Sequence, residues 1–559
     1  MRTVYKFEDW RKLKYNIFTL LRQAYRNLRH FFVIPVILGV LGGLSALLFR
    51  RLISYSNFLF KHFFGLPHYY PFLIPAIFLI TFFISRKLLV SPENVTVDEI
   101  ARKIALERGG FDPKKGLLIL SLTSFNIGFG APVGREGPIA KLGGVFAELL
   151  NKLFKVDGLH FPIYLTCGVS SALSATFNAP VAAVLFGAEV VLGKVNSYVL
   201  IPLIVSSATA TVIARYFLGD FRAFVVPHLS YSTAELPLFP LISLFAALSV
   251  LSISRLLKLF EFLRSSLRDY WHFAVLVCGL LVGFLLWLFP QTAGVGYEQI
   301  TLLFKGAFSP EKAGEIAFVK ALAVVLTFGS GIFGGFMAPS IFIGAFGGYS
   351  VGALLTSDPG AFALAGASAF LTGISGAPLR SSLIIVELTH SYQLIVPVLF
   401  TSALTNYFMG ALSQTKFFKR TLFHRGLDVE KLPPLTELSV EKFITYVEPV
   451  KEELPVSLLK ERFLREKERY LPVVDEKNRL VGIVSLRDLR LTAIFGEELK
   501  VKDVMTSEPF FIYLDSPLTE LIKAIALLER GKLPVVKEDR TYVGMFSCDD
   551  FLKTLTLKL

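Results

Sequence analysis

From about residue 31 to about residue 410 the chain is apolar with little relief, and beyond that it turns abruptly polar. Runs such as 31–49 and 273–289 come close to the length a helix needs to cross a hydrocarbon core of about 30 Å. Others, such as 139–150 and 338–355, are shorter and broken by glycine, proline or a charge. Lipid cannot satisfy an unpaired backbone N–H or C=O, so a helix that ends at membrane depth must line a cavity or pack inside protein. In transporter folds such broken helices carry the binding site. The expected fold class is an all-α polytopic membrane domain of broken helices followed by an α+β soluble tail. Composition agrees: 53% of residues are apolar and only 18% are charged, where a soluble chain would carry about a quarter.

A net charge of +14 would suggest nucleic acid in a soluble protein. Here the first thirty residues hold Arg2, Lys6, Arg11, Lys12, Lys14, Arg22, Arg26 and Arg29 against Glu8 and Asp9. Lys and Arg crowded beside a first span mark the cytoplasmic side and attract anionic lipid. The expected partner is the lipid bilayer, not nucleic acid. The expected location is the plasma (inner) membrane, multi-pass, with both termini cytoplasmic. The first long apolar run begins only after a basic, amphipathic stretch, which is unlike a cleavable signal peptide. Cys167, Cys278 and Cys548 lie far apart without CxxC spacing, so neither a disulfide framework nor a zinc site is expected. No nucleophile–base pair or phosphate loop stands out, and an enzyme is not expected.

Two internal repeats organise the chain. Residues 171–191 (SALSATFNAPVAAVLFGAEVV) and 368–390 (SAFLTGISGAPLRSSLIIVELTH) each lead through small residues to Ala-Pro. In both, a glutamate follows at the same spacing, Pro180 to Glu189 and Pro378 to Glu387. Upstream of each stands a glycine-rich break, 134–144 and 334–348, so the membrane part reads as a duplicated fold. In the tail, LPVVDEKNRLVGIVSLRDL at 471–489 aligns without a gap with LPVVKEDRTYVGMFSCDDF at 533–551. Each copy reads as strand, turn, strand and a serine-led helix, with helical spacing before it, as over 518–528. The expected layout is a basic segment 1–30, a membrane domain 31–426, a linker 427–442, and two soluble repeats, 443–499 and 500–559.

The breaks suggest a chemistry. An anion crossing a membrane must trade its hydration shell for protein ligands. One helix N-terminus offers it about 0.3–2 kcal/mol, against tens of kcal/mol for burying a bare ion. Several such ends must converge on one site. Gly128 and Gly130, then Gly134-Arg135-Glu136-Gly137-Pro138, provide one, because proline is favoured in the first helical turn. Glu136 sits where an anion would bind at that end. A carboxylate there can occupy the anion's place and, once protonated, leave it. The alternative is an ordinary acidic residue favourable to the helix dipole.

These elements, GxGxxxGREGP, FNAP…E, GSGxxGGxxAPxxxxGAxxG and the paired tail repeat, resemble the CLC chloride channels and proton-coupled chloride exchangers. The resemblance covers roughly residues 30–426 and then the tail. It implies a homodimer with one pore per subunit, each subunit built of two inverted halves of tilted helices. It makes Glu136 the gating and proton-carrying glutamate, with Gly134, Arg135 and Gly137 beside it in the pore. Phe336 and Met337 would offer backbone N–H groups to the anion. The family's GSGIP motif should fall near 92–96, where this chain reads Pro92-Glu93-Asn94-Val95-Thr96. Its central tyrosine falls on Phe418, which has no hydroxyl to donate. Its inner acid falls on Val190, unless Glu189 substitutes as the internal acid. These departures lean towards channel-like or loosely coupled conduction of chloride or a similar anion. A tightly proton-coupled chloride, fluoride or nitrate antiporter is the alternative. Lys141, where the family is neutral, is read as snorkelling to an interface.

The tail resembles a pair of CBS domains. Their adenine-nucleotide sites use Ser/Thr-x-x-Asp at a helix start, here Ser485 with Asp488 and Ser547 with Asp550. No cofactor is required by this reading, but ATP, ADP or AMP is a candidate ligand. The alternative leaves both serines as helix N-caps and the tail as a dimerisation element. A CBS-regulated cation transporter would need carboxylates clustered within the spans, which the sequence does not show.

Overall fold

The structure, a computed structural model, describes residues 28–88, 100, 104, 110–154, 160–192, 196–227, 229, 231–267, 270–412, 444–466, 470–485, 488, 499–507, 509, 511–515 and 532–547. The chain divides into two compact units, 1–421 and 422–559.

In the first unit the helices run α1 (Ile34–Phe63), α2 (Tyr70–Lys87), α3 (Pro113–Gly128), α4 (Glu136–Phe154), α5 (Phe161–Phe177), α6 (Pro180–Leu185), α7 (Ser197–Leu218), α8 (Phe239–Ser266), α9 (Trp271–Leu288), α10 (Tyr297–Phe304), α11 (Pro310–Ser330), α12 (Met337–Gly352), α13 (Gly360–Ser375), α14 (Pro378–Thr389) and α15 (Ile395–Leu412). Among the described residues, seven helical segments are long and apolar enough to cross a membrane. Large apolar side chains such as Phe58, Phe72, Phe262, Phe273 and Phe318 are exposed on the outside of this unit, as suits a lipid-facing wall.

Local chemistry sets many of the helix ends. Asp112 accepts the N–H of Lys114 at 2.9 Å just ahead of α3, Asn196 caps α7, and Ser309 accepts the N–H of Lys312 ahead of α11. At the other ends, Asn178 closes α5 and Gly376 closes α13, both in the left-handed region. Each stands two residues before the proline that opens the next helix, Pro180 or Pro378.

The two halves pack alike. In the first, α1, α5 and α7 contact one another and α4 lies on α5; in the second, α8, α13 and α15 do the same and α12 lies on α13. Small residues allow the closest of these contacts. A Cβ on Gly143 would fall 2.1 Å from the carbonyl oxygen of Gly168, and one on Gly344 would fall 2.3 Å from that of Gly366. This is the close backbone approach that glycine permits between membrane helices.

The second unit holds two four-stranded sheets, ordered β2-β3-β4-β5 and β1-β8-β7-β6. Strands β1 (Ile444–Thr445), β2 (Val450–Lys451), β3 (Tyr470–Val474), β4 (Leu480–Ser485), β5 (Thr506–Ser507), β6 (Ile512–Tyr513), β7 (Lys532–Val536) and β8 (Tyr542–Ser547) are joined by the helices α16 (Val456–Glu466) and α17 (Val501–Val504). The hairpins β3–β4 and β7–β8 occupy the two repeated sequences, with a register shift at the same place in each, Val473/Val474 and Val535/Val536. Leu480 donates to the Arg540 carbonyl at 3.0 Å and Tyr542 donates to the Asn478 carbonyl at 2.9 Å, so the repeats clasp each other reciprocally. The helical stretch read at 518–528 lies outside the described residues.

Candidate functional site

The two glycine-rich breaks meet. Gly134 and Gly335 form an antiparallel bridge in which each backbone N–H donates to the other's carbonyl at 2.7 Å. From this bridge α4 and α12 start. Glu136, the first residue of α4, is 2% exposed. Its Oε1 accepts the N–H of Met337 and, at 3.1 Å, that of Ala338. A carboxylate from one half thus caps the opening helix of the other, in the position that suits an anion. There is no room beside it: a Cβ on Gly335 would lie 2.2 Å from Glu136 Cδ, and one on Gly134 would lie 2.3 Å from Oε2. Oε2 is buried without a hydrogen-bond partner among the described residues.

Positive charge flanks this carboxylate. The Arg135 guanidinium lies 5.2 Å over Phe177 and 5.8 Å over Tyr297, and it lines a small cavity with Arg50. Gly137 is buried in the first turn of α4. Phe336 is the residue before α12, and its ring packs at 4.9 Å on Phe328. Lys141 does not reach an interface. It is 5% exposed, because α4 is packed by α1, α3 and α5.

The repeated glutamates exchange places. Glu387, on α14, accepts the N–H groups of Val181 and Ala182 at 3.0 and 2.7 Å, and so caps α6. Glu189, on the π-helical turn Phe186–Leu192 that continues α6, accepts the backbone N–H of Arg380 in the first turn of α14. Each half therefore caps the helix of the other, which gives Glu189 a structural partner beside its candidate role as an internal acid. Val190 beside it packs half-buried on the core. Ala338, Glu387 and Arg380 are site residues that the sequence reading missed. The repeat held one signal, since the place after Ala-Pro filled by Ala182 in the first copy is Arg380 in the second.

Residues 92–96, Phe418 and Asp550 lie outside the described residues, and Ser547 is described only as the end of β8. In the first tail repeat, Asp488 Oδ2 accepts the backbone N–H of Ser485 at 2.8 Å and its hydroxyl at 2.7 Å. The aspartate reaches back to the end of β4 as the acid of a capping box does.

The first unit is thus a duplicated set of apolar helices, two of which open on a buried carboxylate, and the second is a pair of clasped hairpins. The family described as Voltage gated chloride channel matches residues 78–410, and the CBS domain matches 440–492 and 501–556. The chain belongs to the CLC chloride channel and transporter family and carries a paired CBS module. It serves CLC-type anion transport across a membrane, regulated by the CBS pair. It is 31% identical over 327 residues to the H(+)/Cl(-) exchange transporter ClcA of Vibrio campbellii, covering 55% of this chain and 68% of that one. It is 28% identical over 352 residues to a ClcB-like chloride channel protein of Ralstonia nicotianae, covering 60% and 81%. A eukaryotic CLC transporter shares the fold with a TM-score of 0.61 at 19% identity, over 94% of this chain and 98% of that one.

Proposed function

We propose that the chain exchanges chloride or a similar small anion for protons, with Glu136 as gate and proton carrier. The observation that carries this reading is the Glu136 carboxylate bound to the start of α12. In that place it competes with an anion when ionised and releases the site when protonated. The relatedness to ClcA, named a proton–chloride exchanger, favours coupled exchange over the channel-like conduction that Phe418 and Val190 suggest. Reversal potentials under combined chloride and pH gradients separate the two. An exchanger's reversal potential moves with the pH gradient, whereas a channel's follows the anion gradient alone.

The working unit in this reading is a homodimer in the inner membrane, with both termini cytoplasmic. The CBS pair binds an adenine nucleotide through Asp488 and Asp550, and the nucleotide shifts flux by a coupling of about 1–3 kcal/mol.

A further inference from the structure

Tyr297 opens α10 from a turn that is tied down on two sides. Gly296 ahead of it has a φ of 87°, and a Cβ there would fall 2.4 Å from the Phe342 ring. The N–H of Gly294 donates to the Gly130 carbonyl at 2.8 Å, in the break that leads to Glu136. Lys320, fully buried on α11, donates to the carbonyls of Thr292 and Gly294 at 2.7 and 2.6 Å. These bonds fix the Tyr297 ring against the Arg135 guanidinium, which lies 5.8 Å from its centroid.

The phenol oxygen so placed is buried without a hydrogen-bond partner among the described residues. Two atoms of the gate segment share that condition, Glu136 Oε2 and Arg135 Nε. Glu136 and Arg135 both act electrostatically on the phenol, so the three stand in one neighbourhood. A buried polar atom left unpaired is costly, and three together need a reason beyond packing. The two oxygens can satisfy each other, since a phenol donates and accepts and a protonated carboxyl does the same. While ionised, the carboxylate is held by the N–H groups of Met337 and Ala338. A neutral carboxyl binds such donors less strongly, and a hydroxyl then suits it as well.

We propose that Tyr297 is the second partner of the Glu136 carboxyl, holding it by a hydrogen bond once it is protonated and has left the start of α12. Tyr297 is then a positioning residue for the gate, and the proposal rests on the gating reading of Glu136. Among the described residues, the other charged groups around the pair cannot take this part. Arg135 and Arg50 line one small cavity, Arg380 donates to the Met337 sulfur, Lys141 stands further along α4, and Lys320 holds its two carbonyls. None of these cations has an acceptor for a carboxyl O–H. Glu189 and Glu387 serve as caps on α14 and α6.

The test is chloride efflux from liposomes holding the full chain, measured across pH for wild type, Tyr297→Phe, Glu136→Gln and the double variant. Tyr297→Phe removes one oxygen and keeps the ring. The protonated, released carboxyl then loses a bond that the ionised, bound one never had, so its release needs more acid. The midpoint of flux against pH should move to lower pH by about half to one unit, which is what one net hydrogen bond supplies. In the Glu136→Gln background the same change should leave flux independent of pH. A midpoint that stays in place or moves to higher pH overturns the proposal, and a lowered Tm with the midpoint in place makes Tyr297 a packing residue. If Tyr297→Phe fails to fold, Tyr297→Leu, which also lacks the hydroxyl, should show the same shift, and an unmoved midpoint there overturns it too. Loss of pH dependence in Glu136→Gln beside a wild-type profile in Tyr297→Phe removes this contact alone. Wild-type pH dependence in Glu136→Gln removes the gate reading itself, and the role of Tyr297 with it.

Discussion

Gly335 and Glu136 occupy space that admits no methyl group between them: a Cβ on the glycine would lie 2.2 Å from the carboxylate carbon. Gly335→Ala should therefore push the carboxylate off the start of α12 while leaving its charge in the protein. The expected result is anion flux that persists at neutral pH. Efflux from chloride-loaded liposomes measures it, and wild-type flux at neutral pH would mean that the neighbourhood relaxes around the methyl.

Glu136→Gln removes the charge instead of the space. An amide keeps an oxygen for the Met337 and Ala338 N–H groups, but it can no longer alternate between ionised and neutral forms. Anion flux should become independent of pH, and proton movement driven by a chloride gradient should stop. Flux assays at acidic and neutral pH, with a pH electrode following proton uptake, decide it. A wild-type pH profile would remove Glu136 from the gating role.

Glu387 is a stability residue in this structure. Replacing it by leucine leaves the buried N–H of Ala182 without its acceptor, at a cost of about 1–3 kcal/mol, and takes the acceptor from the half-buried N–H of Val181 as well. Glu387→Gln keeps one acceptor and should cost less. Thermal unfolding of the purified protein in detergent should place leucine lowest, glutamine between, and wild type highest.

In the soluble unit, Asp475 accepts the backbone N–H groups of Arg479 and Lys477 at 2.8 and 2.9 Å. These bonds, the one from Arg479 foremost, with the Arg479 guanidinium beside them, hold its carboxyl below the usual carboxylate range. A depressed folded-state pKa adds stability that is complete above the unfolded value of about 3.9 and is lost as pH falls through the lower folded value. Asp475→Asn should thus destabilise the 422–559 fragment at neutral pH and leave it nearly unchanged in strong acid. Urea unfolding at the two pH values gives the comparison.

The nucleotide reading is tested on the same fragment. ATP, ADP and AMP are titrated against wild type, Asp488→Ala and Asp550→Ala. Binding that each substitution weakens supports the cleft assignment. No binding by wild type at millimolar nucleotide leaves the Ser485–Asp488 contact as a helix cap.

The sequence exposed what depends on local pattern. The breaks at 134–138 and 334–339 were legible because glycines crowd just ahead of a proline that opens a helix. The tail hairpins were legible because alternating apolar residues recur in two copies, and the structure places β3–β4 and β7–β8 on them. What stayed hidden depends on contacts across the duplication. Nothing near Pro180 announces that its helix is capped by Glu387, 206 residues past Val181. A separation of 202 residues hid Ala338 as a partner of Glu136. Lys141 misled because a lone lysine in an apolar run looks the same in sequence whether it reaches an interface or is walled in by three helices.

The exchange of caps between Glu189 and Glu387 also bears on how the protein is made. A ribosome delivers α6 long before the acid that completes it, and it delivers Glu189 before the helix start that will receive it. The early half therefore enters the bilayer with a bare helix end and an unspent carboxylate, each waiting for a segment still to be synthesised. A chain stopped between the halves is an unfinished object and not half of a working one. Coexpressed fragments would have to find each other in the membrane before either could settle.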